Sequence, residues 1–345
     1  MSDVKPVHEQ LRGDKVTLSR DAFGADKSIA RVGMRVWLEK AYDLHQSGAF
    51  ASKDDKGISS SIKSIYNQHT VRVTDSGIQV SKAHPVKVSD ESGIRQQAQR
   101  ELGDSVAIDE TRLPSKRGTA GFFAFRKDVD RERQQHAKET GIESRFSLIS
   151  RKLRGADNPD QASQDGFGDR SYKRVWKGIL TGASQLFSGQ GKIMTAGNLA
   201  RGRADAGVVY SQRLEDEQQI TSAAGTLSEA IKGSRSYHVP FGMDRADKGV
   251  AFGETIRHVS VSGSIIPAPG YHAHDPNVSS SFGNSRAPII KHALDSILSE
   301  GLSHEEALSR SIKHFGYDVQ NPSRVSTEAM QQRQMAVQAM KRSKV

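Results

Sequence analysis

The chain has 345 residues, a formal net charge of +10, 35% hydrophobic and 6% aromatic residues, and no cysteine. The missing cysteines exclude disulfides, thiolate metal sites and a cysteine nucleophile, and no apolar run reaches the roughly 18 residues a membrane-spanning helix needs. So lean an apolar content predicts a modest core, in one large or two ordinary domains, with polar loops around it.

The first 28 residues lack sustained periodicity and an apolar h-region, so they read as a flexible segment rather than an ordinary signal peptide. From Ile29 to Leu44, the apolar positions Ala30, Val32, Val36, Trp37, Ala41 and Leu44 predict a helix with one buried stripe. A Ser-, Gly- and Lys-rich linker follows over 46–61, then a short helix over 61–67. Strand, turn and strand over Thr70–Val73, Asp75–Gly77 and Ile78–Val80 make a hairpin. A helix is expected near 92–102. Gly121–Phe125 is a compact aromatic strand, the polar stretch 128–141 a solvated helix or loop, and Arg145–Ser150 a half-buried strand. On that strand Arg145 and Ser147 share one face, while Phe146 and Leu148 take the other. Residues 155–170 read as a loop, Ile179–Phe187 as a helix ended by Gly189 and Gly191, Ala206–Tyr210 as a strand and Ile220–Ile231 as a helix. Short strands follow at 257–261 and 263–266.

The C-terminal part has the clearest signals. Pro288 suits a first helical turn before the stripe Ile289, Ile290, Ala293, Leu294, Ile297 and Leu298, with Gly301 beyond its end. Ser303-His304-Glu305-Glu306 is a capping box that opens a second helix ending near Gly316, so the pair forms an αα-hairpin. The Gln- and Met-rich tail after Pro322 reads as a frayed helix.

Three features bear on chemistry. Residues 112–177 hold 16 Lys and Arg against 9 Asp and Glu, a surface that attracts anions or merely keeps the chain soluble. Without interleaved exposed aromatics or a recognisable motif, nucleic acid ranks last among its partners. Seven of the 12 histidines lie between 238 and 314, but His272-Ala273-His274 has no third ligand at a recognised spacing, so no metal and no cofactor is expected. Finally, Gly189–Tyr210 (GQGKIMTAGNLARGRADAGVVY) places Lys192 in a glycine-rich approach just past a helix end, followed by Arg201 and Arg203. A lysine and two planar cations within a dozen residues make a candidate anion site.

The stretches GFFAFRKD, GQGKI…AR…GVVY and SSSFGNSRAPIIKHALDSILSEGLSHEEALSRSIKHFGYDVQNPS resemble the HopA-type (HrmA) effectors, which plant-pathogenic Pseudomonas secretes through a type III system. The resemblance spans roughly 118–325. More distantly, the same landmarks are similar to the phosphothreonine lyases of the SpvC and OspF kind. The latter similarity implies a site: Lys192 as the base that takes the Cα proton, with Arg145, Arg201 and Arg286 as phosphate-binding cations. A lysine base needs neighbouring positive charge or burial to shed its own proton. Arg145 stands where those lyases use lysine. Ser147 stands where they use a general-acid histidine, and a serine hydroxyl cannot replace an imidazole as proton donor at neutral pH. His238 and His272 are therefore the candidate general acids.

The sequence thus predicts an α+β protein with one main effector domain, its mixed or antiparallel sheet flanked by helices. The expected divisions are a flexible segment (1–28), to which the resemblance assigns secretion and chaperone binding, a small helical and hairpin region (29–111), the HopA-like effector domain (112–325) and a tail (326–345). As the resemblance implies, the partners are a secretion chaperone in the bacterium and a host protein, phosphorylated or not, met in the host cytosol after type III secretion. The function expected is modulation of host signalling or immunity, by lyase-like β-elimination or by binding without chemistry.

Overall fold

A computed structural model describes residues 5–23, 28–83, 87–102, 107–111, 122–126, 141–148, 167–185, 190–200, 202–214, 216–231, 238–261, 263–273, 275 and 282–342. The polar stretches expected at 128–141 and 155–170, much of the basic segment 112–177, and Arg201 lie wholly or mostly outside those residues.

In chain order the elements are α1 (Val7–Gln10), β1 (Lys15–Leu18), a 3-10 turn (Arg20–Phe23), α2 (Ile29–Gln46), α3 (Asp55–Gln68), β2 (His69–Thr74), β3 (Gly77–Lys82), α4 (Glu91–Leu102), β4 (Ala107–Thr111), β5 (Phe122–Arg126) and β6 (Ile142–Leu148). They continue with α5 (Phe167–Gln185), β7 (Gln190–Met194), α6 (Ala196–Leu199), β8 (Gly207–Gln212), α7 (Glu217–Ala230), β9 (Val239–Pro240), β10 (Asp244–Asp247) and β11 (Val250–Ile256). The chain closes with β12 (Val259–Val261), β13 (Ser264–Ile266), α8 (Phe282–Glu300), α9 (His304–His314) and α10 (Thr327–Arg342). The fold is α+β, with antiparallel sheets flanked by helices.

A seven-stranded sheet in the order β10-β11-β6-β8-β7-β5-β4 forms the centre, and a four-stranded sheet in the order β1-β3-β2-β9 stands beside it. Two hydrophobic layers follow from the strand alternation. Phe146, Leu148, Ile193, Val209, Val250 and Phe252 face α5 and α7 and form one core. The second, larger core joins α2, α3, α8 and α9 to the small sheet, with Trp37, Tyr66, Val71, Phe241, Phe282 and Ile290 buried in it. Residues from both ends of the chain share that core. The opposite face of the large sheet, which carries Arg145 and Ser147, is turned toward it.

Several local predictions meet their physical causes here. Helix α2 begins where the Ser28 side chain accepts from Arg31 N, and its stripe is buried as the spacing requires. Trp37 donates from its indole N–H to the Ile62 carbonyl at 2.8 Å, which pins α2 to α3. The capping box of α9 is present in both directions, Ser303 to the Glu306 backbone and Glu306 back to Ser303.

Other elements differ from the sequence reading. Leu11, Leu18 and Phe23 are buried, and β1 pairs with β3 from Lys15↔Ser81 to Leu18↔Ile78, so much of the first 28 residues is tied down by apolar anchors too sparse to give a period. Helix α3 starts at Asp55, because Asp54 caps it through Gly57 N, rather than at 61. Helix α8 starts at Phe282 and keeps Pro288 inside it rather than in its first turn. The tail forms a regular helix, α10, whose Arg333 donates to the Pro267 and Arg257 carbonyls. Strand β11 was not foreseen: all seven of its residues are buried, so it shows no alternation to read.

Candidate functional site

Lys192 lies within a strand, β7, and not in a loop past a helix end. Gly191 and Ile193 flank it within the strand, between β5 and β8, so Lys192 and Gly191 are held in a sheet rather than in a loop. The register then brings the predicted residues into line. Lys192 pairs with Val208, Val208 with Ser147, and Ser147 with Ala251, while two residues along Gln190, Tyr210, Arg145 and Gly253 form the adjacent row. Directly paired residues share a face, so Lys192, Tyr210, Arg145 and Ser147 all point to one side of the sheet.

On that side Arg145 is 3% exposed and donates from Nη2 to Asp205 Oδ2 at 2.8 Å, and Arg203 reaches the other oxygen of the same carboxylate at 3.2 Å. Burial opposes the Arg145 charge, yet Tyr66, Tyr210 and Asp205 together raise its pKa above the ordinary value. We attribute the retained charge chiefly to Asp205, the one formal anion it touches among the described residues. The Arg145 guanidinium also lies 6.0 Å from the Tyr210 ring and 5.5 Å from the Phe282 ring, and Lys192 Nζ is 5.5 Å from the Tyr210 ring. Lys192 itself is half-buried. Near it Glu143 is paired with Arg257 at 2.6 Å, and burial nonetheless raises its pKa above the usual carboxylate range.

Helix α3 closes the site from above. The Ala204 N–H donates to the Asn67 carbonyl at 2.9 Å, which ties the 203–205 turn to the end of α3. Tyr66 is 2% exposed, and its hydroxyl pKa is pushed up to about 12, first by burial; its electrostatic neighbours include Arg145, Asp205, Arg203 and Tyr210. Lys63, one turn earlier, has its pKa lowered by burial and by Arg203. Two glycines permit this approach. A Cβ at Gly283 would come within 2.7 Å of the Tyr66 ring, and one at Gly253 within 2.7 Å of Phe282.

Of the residues expected to act together, Arg145 and Lys192 share this face. Arg286 is fully buried on α8, where Nη2 donates to the carbonyls of Glu254 and Pro322, both at 2.9 Å. Its guanidinium sits 3.3 Å from the Tyr317 ring centroid and 4.5 Å from that of Phe282. His238 is buried at the head of β9, with Nδ1 3.4 Å from Thr70 Oγ1, and His272 is exposed. Asp205 and Tyr66 went unnoticed in the sequence. Asp205 follows Arg203 by two residues and could have been suspected, whereas nothing local connects Tyr66 to a strand 79 positions away. Among the described residues no group of three or more His, Asp and Glu could hold a metal ion, and no helix is long and apolar enough to cross a membrane.

The architecture is one seen in solved bacterial effectors. One, an effector protein from Pseudomonas syringae pv. tomato strain DC3000, superposes with a TM-score of 0.53 at 15% identity, over 86% of this chain and 98% of that one. Another, from Pseudomonas syringae pv. syringae strain 61, gives a TM-score of 0.53 at 17% identity, over 87% and 99%. At such identities the likeness establishes the fold. By sequence, residues 183–324, which contain Lys192, Asp205, Tyr210 and Arg286, match the model of the HopA1 effector protein family. No curated protein matches the chain. The match to the effector-family model supports a bacterial effector.

Proposed function

We propose that this protein is a type III effector that a secretion chaperone holds in the bacterium and that acts in the host cytosol by engaging a phosphorylated host protein. The observation that carries this reading is the placement of Arg145 and Lys192 on one face of the central sheet, with the Asp205 carboxylate bound to Arg145. Lys63, Arg145, Lys192, Arg203 and Arg257 stand in this region against Asp205 and Glu143. A half-buried excess of positive charge favours a dianion over a neutral ligand.

Elimination is the second reading, favoured by the half-buried amine of Lys192 on the same face as Arg145. In it Lys192 Nζ takes the Cα proton of phosphothreonine, the C–H electron pair becomes the Cα=Cβ bond, and the Cβ–O bond breaks with its pair leaving on phosphate. Arg145 would hold that phosphate, together with Arg201 and Arg286 if they reach it. His238, engaged with Thr70, and His272, exposed, would each have to move to serve as acid. Recognition without turnover therefore fits the geometry better.

The test uses a panel of phosphothreonine peptides with their unphosphorylated twins, the full chain and its Lys192→Ala variant. Selective retention of phosphorylated peptides, weakened in the variant, is the expected result. Equal retention of both forms would overturn the reading. A mass-spectrometric product lacking the elements of phosphoric acid, and absent with the variant, would replace recognition by elimination.

A further inference from the structure

Four buried polar atoms lie where α3 meets the central sheet: the Tyr66 hydroxyl and Arg145 act on one another electrostatically, and Ser147 sits two residues from Arg145 on the same face of β6. Tyr66 Oη, Ser147 Oγ and both Nε and Nη1 of Arg145 make no hydrogen bond among the described residues, although their side chains are 2%, 0% and 3% exposed. Leaving such groups unsatisfied typically costs about 1–3 kcal/mol each, and more for a charged one. Arg286 leaves the same two nitrogens unpartnered, but there the guanidinium lies on the Tyr317 ring, whereas beside Arg145 two unpartnered hydroxyls stand as well. Tyr66 comes from α3, and Arg145 and Ser147 are neighbours on one face of β6; all three lie outside the matched family segment.

We infer that Tyr66, Arg145 and Ser147 form a recessed oxyanion subsite at this seam, which takes the phosphoryl group of a phosphate monoester while Lys63, Lys192 and Arg203 line its approach. The inference rests on the phosphate-recognition reading above and deepens it by naming the pocket and its floor.

The donor chemistry selects the ligand. Guanidinium N–H groups donate only, and the two hydroxyls are free to donate. The raised pKa of Tyr66 keeps its hydroxyl protonated at neutral pH, hence a donor. A ligand that satisfies all four atoms must therefore accept at several points, as a tetrahedral oxyanion does and an ammonium group cannot. The third guanidinium nitrogen of Arg145 is already committed to Asp205, which fixes the orientation of the other two. Charge agrees with donor count, because Lys63 and Arg203 are close enough to perturb one another across the seam, and Asp205 already pairs with two guanidiniums.

The test is calorimetric titration of the full chain with inorganic phosphate and with O-phosphothreonine in low-salt buffer, beside Tyr66→Phe and Lys192→Ala. Tyr66→Phe removes one hydroxyl that no neighbour uses, so the unliganded variant should melt at or above the wild-type temperature. Its phosphate affinity should nevertheless fall at least about tenfold, as loss of a hydrogen bond to a charged ligand implies. Phosphate binding that is weakened by Lys192→Ala but unchanged by Tyr66→Phe would overturn this subsite and leave the phosphate-recognition reading standing. No phosphate binding to the wild type at tens of millimolar, with phosphopeptides still selected, would likewise overturn the subsite alone. Failure of both ligands would remove both.

Discussion

Asp205→Asn is the sharpest perturbation of the site. The Asp205 carboxylate is 1% exposed and divides its oxygens between Arg145 at 2.8 Å and Arg203 at 3.2 Å. Arg145 is itself buried, so removing the carboxylate charge strands a guanidinium that water cannot reach. Breaking one partner of a buried pair costs about 3–5 kcal/mol, mostly as the penalty of the charge left behind. Against a total stability of about 5–15 kcal/mol for an ordinary domain, that is a large fraction. Urea denaturation at neutral pH should show it as a lower midpoint with an unchanged slope. Phosphate then supplies the missing negative charge: at a hundred times its dissociation constant a ligand returns about 2.7 kcal/mol. The variant should therefore gain more from phosphate than the wild type does, through tighter binding. A loss below about 1 kcal/mol would mean that Arg145 draws its compensation from elsewhere, and a variant that phosphate stabilises no more than the wild type would refute the placement of the anion beside Arg145.

Two further predictions concern the frame around the site. His69, at the junction of α3 and β2, stacks on Phe241 at 6.1 Å and has its pKa pushed down to about 4, first by burial and then by Lys40. Because the folded value lies below the unfolded one, its contribution is complete above about pH 6.5 and is lost as pH falls toward 4, by about 3 kcal/mol in all. Urea midpoints of the wild type should thus fall more steeply between pH 7 and 4.5 than those of His69→Asn, and parallel curves would contradict the assignment. Arg286→Met should destabilise the fold, at about 1–3 kcal/mol for each of the Glu254 and Pro322 carbonyls left unsatisfied, yet change phosphate affinity less than twofold. A large drop in affinity with little change in melting temperature would instead put Arg286 in the anion site.

The sequence alone determined what depends on near neighbours. The stripe of α2, the hairpin of β2 and β3, the capping box at Ser303 and the resemblance carried by residues 118–325 are all local patterns, and local patterns survive without knowledge of the fold. The same limit explains the differences. Strand β11 is buried on both faces and shows no period, Lys192 reads as a loop residue beside two glycines although its partners Ala124 and Val208 make it a strand, and three scattered apolar residues tie down the N-terminal segment. Only the tertiary structure decided the site. Antiparallel register sets Lys192 and Arg145 in adjacent rows of one face, and the 203–205 turn, bonded to the end of α3, brings Asp205 to Tyr66 across more than a hundred residues of chain. Surroundings also separate the arginines, which sequence treats alike: the Nη2 of Arg145 meets the Asp205 carboxylate beside two unpartnered hydroxyls, whereas the Nη2 of Arg286 serves two backbone carbonyls and its guanidinium lies on the Tyr317 ring. Which cation can meet a ligand is fixed by what already surrounds it, and that is a property of the packed chain.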